Sequence, residues 1–135
     1  MLRSVTRTVM EEGRAAPPLG EAAGRELVAK FFRALGDPTR LDLLDFLMEA
    51  GEATGTECVE RAGLSQGRVS AHLACLVSCG LVSVRRVGRY AYYWVADPRV
   101  GQLGALGRSV TAEHATSIAA CLRVGPAAPS TAGPP

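Results

Sequence analysis

The stretch GLSQGRVSAHLACLVSCGLVSVRRVGRYAYYWV, Gly63 to Val95, changes its apolar period once, and that change decides the fold. Ser65 is a residue type that caps helix N-termini. Behind it Val69, Leu73 and Leu76 recur at three- and four-residue spacing, which predicts a helix over roughly Gln66 to Ser78, closed by Gly80. Past Gly80 the period drops to two. Val82 and Val84, then Tyr90, Tyr92 and Trp94, alternate with Ser83, Arg85, Ala91 and Tyr93. Two such runs broken by Arg86-Val87-Gly88-Arg89 read as a β-hairpin turning at a glycine.

Upstream, a short helix over roughly Gly55 to Ala62 stops at Gly63. The link Ala62-Gly63-Leu64-Ser65 is tight enough to make the two helices a helix-turn-helix. Asp37 and Pro38 suit the N-cap and first position of an earlier helix. Leu41, Leu44, Phe46, Leu47 and Met48 give that helix an apolar side, and Gly51 ends it. From Glu21, the repeat Leu27, Val28, Phe31, Phe32, Leu35 predicts a helix that Gly36 stops. Downstream, Asp97-Pro98 opens a last helix expected to run to about Arg123. Its seam is Val100, Leu103, Gly107, Val110, His114, Ser117 and Cys121, in the three-four steps of a helix packing on a helix. The predicted fold is mainly α with a two-stranded β-hairpin: a winged helix-turn-helix, dimeric through its terminal helices. Residues 1–20 form an N-terminal arm with room for a short helix before Pro17-Pro18, and 21–97 the winged helix-turn-helix. Residues 98–124 form a dimerisation helix, and 125–135 a Pro/Ala/Gly/Ser tail expected to be disordered.

The chain's 135 residues suit one domain. A net charge of +2 says little by itself about partners, although the basic charge is almost all arginine, the one lysine being Lys30. The start of the chain is broken by Arg3 and Arg7 and has no apolar signal-peptide core, and no apolar run is long enough to span a membrane. The protein is therefore expected in the cytoplasm, without a membrane partner. In a reducing cytosol, its four cysteines (Cys58, Cys75, Cys79 and Cys121) read as metal-binding or reactive thiols rather than disulfides. No glycine-rich phosphate loop and no plausible Cys–His pairing occurs, so an enzyme is not expected.

A recognition helix must carry polar side chains to base edges at its N-terminal end. Gln66, Arg68 and Ser70 stand there, with His72 a turn further on. Gln suits adenine and Arg suits guanine, and Ser65 at the helix N-terminus favours phosphate. Arg85, Arg86 and Arg89 around Gly88 give the hairpin a basic tip fit for the DNA backbone or minor groove. These eight residues are the candidate contacts to double-stranded operator DNA.

The run Ala34-Leu35-Gly36-Asp37-Pro38-Thr39-Arg40-Leu41 resembles the "ALADPTR" helix of the ArsR/SmtB repressors. Leu64-Ser65-Gln66, Val69-Ser70-Ala71-His72-Leu73, Leu76 and Cys79-Gly80-Leu81-Val82 resemble that family's recognition-helix signature, and Gly88-Arg89, Tyr92-Tyr93 and Trp94 its wing. The resemblance covers about Leu27 to Val95. It implies a homodimer that sits on an operator and leaves it when metal binds, derepressing resistance or efflux genes. The family's arsenic-type site uses a Cys-Val-Cys motif where this chain has only Cys58. Its zinc-type site uses Asp, His and Glu on the C-terminal helix, where Glu113-His114 lacks the paired spacing. A branch sensing cadmium and lead has two cysteines four apart on the recognition helix and a third near the C-terminus, which Cys75, Cys79 and Cys121 match; some mercury repressors also belong to the family.

By spacing alone, Cys75 and Cys79 share one helix face, about 5–6 Å apart. Two thiolates there can chelate a soft ion, and Cys121, on the seam face of the last helix, could arrive from the same or the other subunit as a third. Cys58 sits where the helix pattern wants an apolar residue and reads as core. His72 and His114 are possible extra ligands, though a lone histidine on such faces more often has a structural or DNA-facing role. An all-sulfur set without a clear fourth donor puts Hg(II) first as effector ion, with Cd(II) and Pb(II) next. Such an ion would tie the recognition helix to the partner's C-terminal helix. Two other readings stay open: a thiol redox-sensing winged-helix repressor, and a winged-helix protein-interaction module.

Overall fold

A computed structural model describes residues 20–125; all but Gly20 of the expected arm and all but Gly125 of the expected tail lie outside the described residues. The elements in chain order are α1 (Glu21–Leu35), α2 (Pro38–Ala50), β1 (Ala53–Thr54), α3 (Gly55–Ala62), α4 (Gln66–Ser78), β2 (Val82–Val87), β3 (Tyr90–Val95) and α5 (Arg99–Ala120). Two compact units divide the chain, one up to Lys30 and one from Phe31 onward. In the first, the described residues are the opening turns of α1, which begin with the Gly24 N–H donating to the Gly20 carbonyl at 2.9 Å. The second holds every element discussed below.

α2 starts where the sequence predicts. The Asp37 side chain accepts from the N–H groups of Thr39 and Arg40, and Pro38 occupies the first turn. Its buried face is Leu43, Leu44 and Leu47. Leu41 and Met48, read from sequence as part of one apolar side, are instead about two-fifths exposed and face a different way. α2 is thus apolar on two faces, and Leu43, absent from the predicted stripe, is fully buried. α3 is opened by a capping box: the Thr54 hydroxyl accepts from Glu57 N–H at 3.1 Å, and the Glu57 carboxylate accepts from Thr54 N–H at 2.8 Å. The turn between α3 and α4 passes through Gly63 at φ +67, a left-handed conformation that penalises any side chain.

The core lies where α2, α3 and α4 meet the root of the hairpin. Leu43, Leu47, Leu73, Leu76, Val69, Val82 and Cys58 are its fully buried members. Each large side chain buried there contributes about 1.5–3 kcal/mol. Arg61 of α3 bonds Asp42 of α2 at 2.9 Å and lies 5.3 Å over the Phe46 ring, bracing the two helices at the surface.

The hairpin pairs β2 with β3 from Val82↔Val95 to Val87↔Tyr90, turning at Gly88 (φ +60) and Arg89. The expected two-stranded hairpin gains a third strand: Ala53 and Thr54 pair with Tyr93 and Tyr92, giving the order β1-β3-β2. Two residues are too few to show a period, so β1 leaves no signal in the sequence. α5 is shorter than expected. It ends at Ala120, Cys121 has extended backbone (φ −69, ψ 117), and the helix kinks at His114 (φ −119, ψ 18). The seven-residue seam read from the sequence is therefore broken at His114 and ends before Cys121. The cause is local: only Val100 of this helix is buried, so no packing within the chain holds its later turns straight. No helix among the described residues is long and apolar enough to cross a membrane.

Candidate functional site

Val69, Leu73 and Leu76 of α4 are buried in the core, and Gln66, Ser70, Ala74 and Ser78 form an exposed, outward flank beside that stripe. The Ser65 hydroxyl caps the helix by accepting from Arg68 N–H at 3.3 Å, leaving the first turn fixed and open to solvent. The outward face looks across to the hairpin. Between them lies a groove of about 620 Å³, lined on one side by Gln66, Ser70, Ala74 and Ser78 and on the other by Arg86, Arg89 and Tyr90. Thr54, Thr56 and Tyr93 close its floor and end.

Four of the eight sequence-predicted DNA contacts, Gln66, Ser70, Arg86 and Arg89, thus line one groove, which offers amide, hydroxyl and two guanidinium groups. Ser65 stands exposed at its helix cap, and Arg68, half-buried beside it, lies outside the groove lining. Arg85 is placed differently. Successive strand residues face opposite sides of a sheet, so Arg86 enters the groove and Arg85 leaves it. Its Nη2 donates to both carboxylate oxygens of Glu52 at 3.0 Å, and its guanidinium lies 4.6 Å over the Tyr92 ring. Arg85 therefore has an acidic partner within its own chain. His72 also points elsewhere: only 13% of its side chain is exposed, and its Nδ1 lies 3.2 Å from Arg40 Nη1. The sequence reading missed Thr54, Thr56, Tyr90 and Tyr93. The Thr54-x-x-Glu57 capping box was a legible signal for the first of these; the others depend on how the hairpin folds over α4.

The four cysteines fall into four settings. Cys58 is fully buried in α3, as its reading as core anticipated; burial, helped by the Glu57 charge, pushes its thiol up to about 11. Cys75 is half-buried late in α4, and Cys79 is exposed as its C-cap, its N–H donating to the Cys75 carbonyl at 3.0 Å. The two are one turn apart at the opposite end of α4 from Gln66. Cys121 is exposed at the end of α5, where the backbone N–H groups of Val124 and Arg123 hold its thiol below the usual range. Among the described residues, no three His, Cys, Asp or Glu side chains converge as metal ligands within one chain. The exposed His114 sits at the kink of α5. The donor set at the end of α4 suits a soft ion, since it offers two sulfurs at one-turn spacing and neither belongs to the fully buried core.

A second groove, of about 590 Å³, lies between α5, the end of α1 and α2. Its lining is largely apolar, including Phe32, Leu35, Leu41, Met48, Leu103 and Leu106. Phe32, Leu106 and Val110 are at least half exposed. The Arg108–Asp45 ion pair, at 3.1 Å, borders it.

Residues 37–84 match the family described as bacterial regulatory protein, arsR family. Over 99 residues the chain is 54% identical to a probable mercury resistance operon repressor of Streptomyces lividans, covering 73% of this chain and 78% of that one. It is 39% identical over 83 residues to the HTH-type transcriptional regulator CmtR of Mycobacterium tuberculosis, covering 62% of this chain and 68% of that one. Among solved structures it is similar to the homodimeric winged helix-turn-helix DNA-binding domain of a possible ArsR-family transcriptional regulator from Mycobacterium bovis. There the TM-score is 0.63 at 36% identity, covering 74% of this chain and 92% of that one.

Proposed function

Since the chain belongs to the ArsR family of bacterial regulatory proteins, we propose that it is a homodimeric, cytoplasmic repressor that leaves its operator when a thiophilic heavy-metal ion binds Cys75 and Cys79. The observation that carries this reading is the division of α4: Gln66 and Ser70 face the basic groove at one end, and the cysteine pair closes the other. Gln66 and Ser70 read base edges, Arg86 and Arg89 hold the phosphate backbone, and the Ser65 helix N-terminus adds a phosphate contact. Arg68 and His72 make at most secondary contacts, and Arg85 must first leave Glu52. The groove formed by α5, α2 and the last turn of α1 is the surface that a second copy covers, because exposed apolar patches of this kind mark interfaces.

A thiophilic ion, when bound, supplies only a cross-link between sulfurs. Cys75 and Cys79 would hold it from one subunit, with Cys121 of the same or the other subunit as third donor. Anchoring the end of α4 turns its reading end, and two half-sites about one DNA turn apart no longer fit both helices. The coupling is reciprocal, so DNA weakens metal binding by the factor by which metal weakens DNA binding. Hg(II) is the first candidate, because thiolate pairs and triads satisfy it and the Streptomyces lividans relative is a probable mercury repressor. Cd(II) and Pb(II) come next. The thiol-oxidation alternative has one favouring observation, the lowered Cys121 thiol. Against it, two cysteines one turn apart in a helix suit disulfide geometry poorly.

A reporter gene driven by the DNA upstream of this chain's own coding sequence tests the proposal in cells. Sub-lethal Hg(II) is expected to raise reporter output with the native protein and not with Cys75→Ser. Output that never falls when the protein is supplied removes the repressor reading; equal induction in Cys75→Ser removes the α4 metal site.

A further inference from the structure

The corner between α1 and α2 carries a polar set that neither the DNA groove nor the cysteines use. Asp37 is buried, and its Oδ1 accepts from the N–H groups of Thr39 at 2.8 Å and Arg40 at 3.0 Å. The Arg40 guanidinium folds back over this corner. Its Nε donates to the Ala34 carbonyl at 2.6 Å and its Nη2 to the Arg33 carbonyl at 3.4 Å. Both carbonyls belong to the last turn of α1, where helix ends run short of donors, and that of Arg33 also accepts from the Gly36 N–H at 3.1 Å. Its remaining arm, Nη1, lies 3.2 Å from Nδ1 of His72 in α4. A guanidinium only donates, so in this bond His72 Nδ1 is the acceptor. Asp37 Oδ1 stands 4.0 Å from the same nitrogen.

We infer that His72 is a positioning residue for DNA recognition: held by Arg40, it fixes the rotation and height of α4 against the α1–α2 corner without itself touching DNA. The inference rests on the operator-binding reading above. Elsewhere α4 is held by Val69, Leu73 and Leu76, and apolar burial has no direction. That contact tolerates a small slide or turn of the helix, whereas hydrogen bonds to base edges weaken steeply with angle and distance. The Arg40–His72 bond supplies the missing direction, since two carbonyls already pin the guanidinium. The same corner presents Phe32, Leu35 and Leu41 to the apolar groove, so Arg40 joins the surface offered to a second copy to the helix that reads DNA.

His72→Leu removes the acceptor and keeps a side chain of similar bulk; His72→Asn returns an oxygen near the place of Nδ1. The probe is a labelled duplex enriched from a random-sequence pool by the native protein, followed by anisotropy over a range of salt. His72→Leu is expected to bind about tenfold more weakly, the net effect of losing a hydrogen bond to a charged group. His72→Asn is expected to recover most of that, and the salt slope to stay native in both. In an Arg40→Gln background, His72→Leu should cost almost nothing further. A DNA-free arm measures amide exchange in the full-length dimer: exchange should quicken along α4 in His72→Leu, relative to α2, and not in His72→Asn. Thermal melts identify any variant that merely unfolds, and the Asn variant then decides. Native affinity and native α4 exchange in His72→Leu would overturn the inference. So would an equal loss in both variants with a salt slope reduced by about one, which marks a direct phosphate contact. If the native protein enriches no duplex, the operator reading fails on its own, and the exchange arm still decides whether His72 positions α4.

Discussion

Cys58 and Cys121 show how far one side-chain chemistry is spread by its surroundings. The first is enclosed by the leucine core with its thiol raised to about 11; the second is open to solvent, with two backbone N–H groups favouring its thiolate. Iodoacetamide at neutral pH should therefore label Cys121 well before Cys58, as peptide mass analysis of timed samples would show, and equal rates would contradict the environments described. Cys58 also links stability to pH. Its thiol ionises in the unfolded chain near 9.0 but only near 11 in the fold. That stability is whole below pH 9 and is lost as the pH rises through this window, by on the order of 2–3 kcal/mol. Urea unfolding of native and Cys58→Ala protein from pH 8 to about pH 11 should show a downward slope that the variant lacks. At this scale the sequence was partly legible. Cys58 could be read as core because Val59 and the short helix pattern surround it. The inward turn of His72 could not, because its partner Arg40 is thirty-two positions away.

The hairpin and α4 line one groove, the proposed reading surface, and neighbouring residues on a strand part company there. Arg86 and Arg89 face the groove, while Arg85 faces Glu52 and Tyr92. Arg86→Ala and Arg89→Ala should each weaken operator binding and lower the slope of log affinity against log salt by about one. Arg85→Ala should change that slope by much less, since its charge is already matched within the chain. A slope change in Arg85→Ala equal to the other two would place Arg85 on the DNA. The extents of α3 and α4 were legible because glycines and a serine cap punctuate a clear apolar period. β1 was not, being two residues held only by pairing with β3. The second apolar face of α2 was hidden as well: Leu41 and Met48 serve a surface while Leu43 and Leu47 serve the core, and a single-face pattern cannot show both.

The whole molecule leaves a long apolar surface uncovered in a single chain. α5 buries only Val100, and Leu106, Val110 and Ile118 remain at least half exposed. We propose that a second copy covers this surface. Leu106→Glu places a charge in the groove and should shift the protein from dimer to monomer in analytical ultracentrifugation. Operator binding should fall in parallel, since each half-site then acts alone. A Leu106→Glu protein that remains dimeric would put the interface elsewhere.

One joint titration of reduced protein with Hg(II), following ultraviolet thiolate-to-metal absorption and the anisotropy of bound duplex together, tests metal-driven release most directly. Absorption is expected to saturate at about one ion per subunit as DNA is released, and both signals to be lost in Cys79→Ser, which still binds DNA. Saturating absorption with the DNA still bound, or full release in Cys79→Ser, would contradict release through the α4 cysteine pair.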